Sequence, residues 1–127
     1  MKDFIAMNGK WDKTGCFHRA GLYNPTSKEF IVIEDIGRHN CVDKLKGHTV
    51  INNINISEYY LFITARITSS LYQKIRRAGI NTIISRSAIT SASLTSARKD
   101  DITLAAFCRP EEDRVTLFHN GMQTLKF

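Results

Sequence analysis

The densest group of hydrogen-bonding and reactive side chains in this chain lies at residues 34–44, with the sequence EDIGRHNCVDK. It directly follows the apolar run FIVI, which is typical of a buried strand, and a glycine followed by polar residues indicates a turn into a helix. The segment therefore lies at the carboxyl end of a strand, where open α/β sheets bind ligands. Because the first N–H groups of a helix attract anions, the segment is suited to anion binding.

Arginines follow the later predicted strands in a similar way. Arg66 and Arg86 come after two strands among small polar residues, and Arg109 follows a third. If these strands are parallel, their carboxyl ends share one edge, and the three arginines could converge there with Arg38. Arginine offers a fixed fork of donors to phosphate oxygens, so the edge is suited to a phosphate or pyrophosphate. The serines and threonines beside these arginines are also explained as ordinary helix N-caps.

An alternation of strands and helices is predicted to position these side chains. Strands are expected at about residues 16–23, 29–34, 59–63, 81–84, 102–107 and 114–118, and helices at about 39–54, 67–78 and 88–99. An Asn-Pro pair in the turn at residues 24–27 disfavours helix, so the first two strands are predicted to form an antiparallel hairpin. The rest of the pattern predicts an α/β fold with right-handed crossovers and a mainly parallel sheet covered on both faces.

The predicted helices differ in how clearly they show a buried face. Ile67, Leu71, Ile75 and Ala78 lie on one face of the second helix. In the first helix, the apolar positions Val42, Leu45, Val50 and Ile51 fit a helical face only loosely. The basic residues Lys74, Arg76 and Arg77 are interpreted as a solvated face of the second helix.

Length and composition limit the classes of protein. A chain of 127 residues with 43% hydrophobic content is expected to form one domain, spanning residues 1–127. No apolar stretch approaches the roughly 20 residues that cross a bilayer, and the N-terminus lacks the apolar core of a signal peptide, so a cytoplasmic protein is expected. Three widely spaced cysteines, Cys16, Cys41 and Cys108, favour free thiols over a disulfide framework. The net charge of +6 favours an anionic partner or cofactor, but no motif indicates nucleic-acid binding.

These motifs together resemble the FdhD family of formate dehydrogenase accessory proteins. The segment at residues 34–44 and the sequence TGCFH at residues 14–18 carry most of the resemblance. Further matching residues, in the family's order and spacing, are Arg66, Thr68, Ser69, Lys74, Ala78, Gly79, Ile80, Ser85, Arg86, Ser87, Ala88, Thr103, Leu104, Phe107, Cys108 and Arg109. The resemblance extends over almost the whole chain.

The resemblance implies a fold, a ligand and partners. The implied fold is a three-layer α/β/α sandwich similar to the cytidine-deaminase-like fold, without zinc. Members of the family are cytoplasmic sulfurtransferases that take persulfide sulfur from a cysteine desulfurase and deliver it to the bis-molybdopterin guanine dinucleotide cofactor (the molybdenum cofactor) of formate dehydrogenase, which needs the sulfur for activity. By position, the implied cofactor-binding residues are Gly37, Arg38, His39, Asn40, Asp43, Arg66, Ser85, Phe107, Cys108, Arg109 and Pro110. Formate dehydrogenase and a cysteine desulfurase are the implied partners, and a homodimer is compatible with the sequence.

The chain departs from the family in its cysteines. The family's sulfur-carrying Cys-x-x-Cys loop lies upstream of the TGCFH segment, and no cysteine precedes Cys16 here. The chain therefore corresponds to the family's C-terminal domain, without the N-terminal region and that loop. Residues 110–113 are also more acidic than the family pattern, which would repel a phosphate. Two functions stay open: an accessory protein that assists sulfur transfer, or a non-catalytic guanine-nucleotide, cofactor-binding or partner-binding module.

Cys41 is the weak candidate for a replacement sulfur carrier. A thiolate beside His39 and arginines at a helix start would have a lowered pKa and could accept persulfide sulfur. A buried structural cysteine is the competing interpretation, so no catalytic residue is assigned. Cys16, His18, His39 and Cys41 are also considered as metal ligands, but the zinc-deaminase signature is absent and no metal site is predicted.

Overall fold

The computed structural model describes residues 17–109, 112 and 114–121. The strands in this part of the chain are β1 (His18–Tyr23), β2 (Phe30–Asp35), β3 (Tyr60–Ile63), β4 (Thr82–Ser85), β5 (Thr103–Arg109) and β6 (Arg114–His119). The helices are α1 (Arg38–Ile51), α2 (Ser69–Arg77) and α3 (Ser91–Asp100), with a short 3-10 helix at Ile56–Glu58. Every predicted strand and helix is present, with ends that differ by a few residues, and the α/β class is confirmed.

The strands form one sheet in the order β2-β1-β3-β4-β5-β6. β3, β4 and β5 are parallel, whereas β1 is antiparallel to both β2 and β3, and β6 is antiparallel to β5. The predicted hairpin of β1 and β2 is confirmed, but the prediction of a mainly parallel sheet is wrong for the described residues. The links from β1 to β2 and from β5 to β6 are too short for a crossover, and a short link forces an antiparallel pair.

The direction of the strands places their carboxyl ends together. Because β1 is antiparallel to both neighbours, β2 runs in the same direction as β3, β4 and β5. The four strands that precede or contain Arg38, Arg66, Arg86 and Arg109 therefore end at the same edge of the sheet. We call this edge, with the loops that leave it, the arginine edge.

All three helices pack against the same face of the sheet. Their buried side chains form one core cluster with those from the strands, which includes Ala20, Leu22, Cys41, Val42, Leu45, Leu61, Ile63, Leu71, Tyr72, Ile75, Ile83, Ala97 and Leu104. The strand order from β2 to β5 never reverses, so right-handed crossovers place every helix on one side. The prediction of helices on both faces, and hence of three layers, is wrong for the described residues.

The opposite face of the sheet carries a smaller, aromatic cluster. The ring of Phe30 lies 5.3 Å from that of Tyr23 and 5.9 Å from that of Phe62 between centroids. Tyr60 and Ile84 are buried in the same cluster, and no described helix contributes to it.

α2 follows the pattern read from the sequence more closely than α1 does. Leu71 and Ile75 of α2 are buried as predicted, and Gly79, with φ of +95°, follows its last turn. In α1, however, Val50 and Ile51 are 62% and 81% exposed, so their expected place in a buried face is wrong.

Candidate functional site

The turn from β2 into α1 is organised by one carboxylate, that of Asp35. Its Oδ1 accepts hydrogen bonds from the backbone N–H of Gly37 at 2.9 Å and from Asn40 Nδ2 at 3.2 Å. Its Oδ2 lies 2.6 Å from Lys44 Nζ. The hydrogen bond from Lys44, followed by those from Gly37 and Asn40, lowers the pKa of Asp35 to about 2. Asp35 is therefore charged at neutral pH and fixes the start of the helix.

The N-terminus of α1 is left without a side-chain cap. Its N-cap is Gly37, whose backbone is extended and which makes no side-chain cap hydrogen bond, whereas Thr68 caps α2 and Thr90 caps α3. A Cβ at Gly37 would lie 3.0 Å from Asn40 Nδ2, so a larger residue would push the Asn40 side chain aside. The N–H groups of the first turn thus have no capping side chain as acceptor, which favours an anion at this position.

Arg38 begins α1 at the same place. Its Nε is buried and has no hydrogen-bond partner among the described residues, and the same holds for Nε of Arg109. A buried donor without an acceptor is unfavourable, and a ligand oxygen would satisfy it. These two orphaned donors are the features of the arginine edge that most directly fit a phosphate-bearing ligand.

The charge of Arg38 affects the pKa values of two nearby histidines. Burial, followed by the charge of Arg38, lowers the pKa of His18, which starts β1 opposite Asp35. Burial, followed by the charges of Lys74 and Arg38, also lowers the pKa of His39. Both rings are therefore neutral at neutral pH and can donate a hydrogen bond without adding charge. His18 was considered from the sequence only as a metal ligand, although it belongs to the TGCFH segment that carries the resemblance.

The loops after β3 and β4 are held by serine hydroxyls. Ser85 is buried; its Oγ donates to the carbonyl of Ala65 at 2.7 Å and accepts from the N–H of Ser87 at 2.9 Å. Ser87 Oγ donates to the carbonyl of Thr64 at 2.7 Å. Ser85 therefore supports the loop that carries the exposed Arg66, and its hydroxyl proton is already used.

The strand exits that carry the arginines are spread along the shared edge. Strands lie about 4.8 Å apart, so the exits of β2 and β5, four positions apart in the sheet, are separated by roughly 19 Å. An extended ligand with several anionic groups matches this separation better than a single phosphate.

The remaining predicted ligand residues lie in different surroundings. Asp43 pairs with Lys74 at 2.9 Å and thereby joins α1 to α2. Phe107, with φ of +53°, donates its N–H to the carbonyl of Ser87. Cys108 is buried in the aromatic cluster of the opposite face. Pro110 lies outside the described residues.

The acidic segment after β5 contacts the last arginine of the edge. Glu112 lies 4.0 Å from Arg109 Nη1 and 3.6 Å from Arg114 Nη1. Its carboxylate therefore partly neutralises Arg109, which is the competition with phosphate that the sequence indicates.

Cys41 has the burial and the weakly acidic thiol that are typical of a structural cysteine. Its side chain is fully buried, and its Sγ lies 3.6 Å from the carbonyl oxygen of His18 and 4.0 Å from that of Asp35. Burial, followed by the negative charge of Asp35, raises the pKa of its thiol to about 11. The expectation of a lowered pKa is wrong, because the thiol is buried and the nearby charge of Asp35 also disfavours the thiolate.

Neither a metal cluster nor a membrane span is found in the described part of the chain. No group of three or more His, Cys, Asp or Glu side chains there could hold a metal ion. Cys16, one of the four ligands considered, lies outside the described residues. None of the described helices has the length and apolar character needed to cross a bilayer.

The chain is similar in sequence to a known protein family and to named members of it. A family model described as the FdhD/NarQ family matches residues 1–124. Protein FdhD of Methanocaldococcus jannaschii is 38% identical over 99 residues, which are 78% of this chain and 44% of that protein. Sulfur carrier protein FdhD of Bacillus subtilis is 35% identical over 109 residues, which are 86% of this chain and 41% of that protein.

A solved structure is also similar. The crystal structure of a formate dehydrogenase accessory protein from Desulfotalea psychrophila matches with a TM-score of 0.84 and 31% sequence identity, over 98% of this chain and 52% of that one. The chain thus spans less than half the length of these two relatives and about half of the solved chain.

Proposed function

Because the chain belongs to the FdhD/NarQ family, we propose that it acts as an accessory protein needed for formate dehydrogenase activity. In this role it binds the bis-molybdopterin guanine dinucleotide cofactor at the arginine edge and assists the transfer of sulfur to it from a cysteine desulfurase. The names of a sulfur carrier protein and of a formate dehydrogenase accessory protein among its relatives support the general role.

The observation that carries the proposal is the buried, unpartnered Nε of Arg38 beside the uncapped start of α1. Together they offer a guanidinium and backbone N–H groups to one pyrophosphate group, with no Cβ at Gly37 to obstruct it. A roughly 19 Å edge also suits a long dinucleotide better than a single phosphate. The residues that would hold the cofactor are Gly37, Arg38, His39, Asn40, Arg66 and Arg109. The bound cofactor would supply the molybdenum centre that receives sulfur.

The chain's own residues would bind and orient rather than react. His39 is neutral near pH 7, so it can donate a hydrogen bond to a phosphate oxygen or a guanine acceptor without repelling neighbouring arginines. The carboxylate of Asp35 fixes the turn between β2 and α1, and the hydroxyls of Ser85 and Ser87 fix the loops after β3 and β4. These contacts fix the donors before the ligand arrives, which lowers the entropic cost of binding.

Guanosine diphosphate is the simplest probe of this site. Arg38→Ala is expected to weaken its binding about ten- to hundredfold, since a hydrogen bond to a charged group contributes about 1.5–3 kcal/mol. Arg98→Ala is the matched control, because Arg98 is an exposed arginine of α3 on another part of the surface. Isothermal calorimetry on the folded variants makes the comparison. Equal affinities for the parent and Arg38→Ala would contradict the proposed site.

One observation favours the alternative, a binding module without sulfur chemistry. Cys41 is buried and its thiol has a pKa of about 11, so very little thiolate is present at neutral pH. Incubation with a persulfide donor, followed by mass spectrometry, should give equal sulfur uptake by the parent and by Cys41→Ala. Greater uptake by the parent would instead assign sulfur transfer to Cys41 in this chain.

A further inference from the structure

We propose that the groove between α1 and α2 docks an acidic, partly apolar segment of a partner protein. The groove has a volume of about 240 Å³. It is lined by Val42, Asp43, Lys46, Lys74, Arg77 and Ala78. Of the predicted ligand residues only Asp43 lines it, so the inference does not rest on the proposed function.

The charges of the groove are unevenly satisfied. Lys74 is paired with Asp43 at 2.9 Å. The ammonium of Lys46 and the guanidinium of Arg77 make no hydrogen bond or ion pair with any residue that the structure describes. The groove therefore keeps an excess of two positive charges, which attracts carboxylates.

The floor of the groove is apolar. Val42 and Ala78 are buried, and they are the two apolar residues of the lining. A carboxylate that binds above such a floor loses part of its water, so its attraction to Lys46 and Arg77 is stronger than on an open surface. This distinguishes the groove from a solvated basic face, which was the interpretation of Lys74, Arg76 and Arg77 from the sequence.

An exposed apolar surface continues the groove along α1. Asp43, Lys46 and Val50 are spaced i, i+3 and i+7, which places them along one stripe of the helix. Val50 is 62% exposed and the adjacent Ile51 is 81% exposed, although both are large aliphatic residues. These two side chains are therefore accessible to an apolar group of a partner. The stripe therefore fits carboxylates followed by an apolar side chain.

The same features disfavour nucleic acid as the occupant. A phosphate backbone would meet the carboxylate of Asp43 inside the groove, and the lining contains no aromatic side chain on which a base could stack. Exposed valine and isoleucine also add nothing to phosphate binding. An acidic protein segment uses both the charges and the apolar stripe.

Charge reversal tests the groove. The probe is a short fluorescent peptide of glutamate and leucine, compared with the same peptide in which glutamine replaces glutamate. The variant Lys46→Glu/Arg77→Glu is expected to bind the acidic peptide at least about tenfold more weakly than the parent. Arg98→Glu/Lys99→Glu, on α3, changes the net charge by the same amount and is expected to retain binding.

A second variant and a second readout complete the test. Val50→Ser is expected to weaken binding of the acidic peptide about threefold, because an apolar contact is lost. It should not affect folding, because Val50 is exposed. Guanosine diphosphate binding should be unchanged in Lys46→Glu/Arg77→Glu. The peptide assay therefore tests the docking groove, and the nucleotide assay separately tests the proposed cofactor site at the arginine edge. Equal loss in the α3 control, equal binding of the glutamine peptide, or tighter binding of a single-stranded oligonucleotide at the same residues would each overturn the proposal.

Discussion

Single residues at the arginine edge divide into those with an unsatisfied donor and those that hold the others in place. Arg38 offers a buried Nε without a partner, whereas Asp35 and Ser85 use their polar atoms on neighbouring backbone and side chains. The sequence identified the arginines because their type and position indicate phosphate binding. The sequence also predicted Ser85 as a ligand residue. A serine beside an arginine has the same sequence pattern whether its hydroxyl binds a ligand or a backbone carbonyl. Asp35 was overlooked, although an Asp two residues before a glycine is a common signal of such a turn.

Asp35→Asn tests the role of this carboxylate at the level of one residue. The variant should be less stable than the parent at neutral pH, because it loses the ion pair with Lys44 and the charge that accepts from Gly37. The folded pKa of Asp35, about 2, lies below its ordinary value of 3.8, so its stabilisation is present above that value and is lost as pH falls towards 2. The difference between the two urea-unfolding midpoints should therefore shrink on acidification. A difference that is constant with pH would contradict this role.

The three helices differ in how their first turns are capped. α2 and α3 begin at Thr68 and Thr90, whose hydroxyls accept from the N–H groups of Leu71 and Ser93. α1 begins at a glycine without such a cap, so its first turn is the one left available to a ligand. The periodicity of α2 predicted its buried face correctly. In α1, Val42 and Leu45 are buried as predicted, but Cys41 and Thr49 complete the buried face in place of Val50 and Ile51.

A cap substitution tests the element without touching the proposed site. Thr90→Ala should lower the free energy of unfolding by about 1 kcal/mol, because the N–H of Ser93 loses its acceptor. Thr95→Ala, within the same helix, is the matched control, since Thr95 is exposed and alanine has the higher helix propensity. Urea denaturation of both variants measures the difference. A cost for Thr95→Ala equal to that for Thr90→Ala would show that the cap is not the cause.

The whole molecule is organised by its one mixed sheet. β3 and β4 lie at the centre of the strand order, and their inward side chains Leu61, Ile63 and Ile83 contact the helical layer. The same strands end at the arginine edge, so the core that stabilises the fold also sets the spacing of the site. The groove between α1 and α2 lies in the helical layer, and two of its lining residues, Asp43 and Lys74, act electrostatically on His39 at the arginine edge.

Loss of core packing should therefore unfold the molecule as one unit. Leu61→Ala is expected to lower the free energy of unfolding by about 2–5 kcal/mol, because the side chain is fully buried. Leu117→Ala, on β6 and 48% exposed, should cost less than about 1.5 kcal/mol. Circular dichroism and the fluorescence of the four tyrosines, which lie in strands and helices of the described fold or beside them, should give coincident transitions in both variants. Separate transitions would show that the molecule does not unfold as one unit.

The sequence by itself determined the order and approximate limits of the strands and helices, the hairpin and the residues of the arginine edge. These depend on local periodicity, on turn residues and on side-chain type, all of which are written in consecutive residues. The family was also identified from the spacing of motifs such as that at residues 34–44.

Only the tertiary structure decided how these parts relate. The antiparallel insertion of β1 between β2 and β3 and the packing of all helices on one face depend on pairings between residues far apart in the chain. The pKa of Cys41 is raised by burial and by the charge of Asp35, which outweigh the opposing charge of Lys44. Local pattern fixes what each segment becomes, but the distances and solvent exposure that control its chemistry exist only after distant segments have packed together.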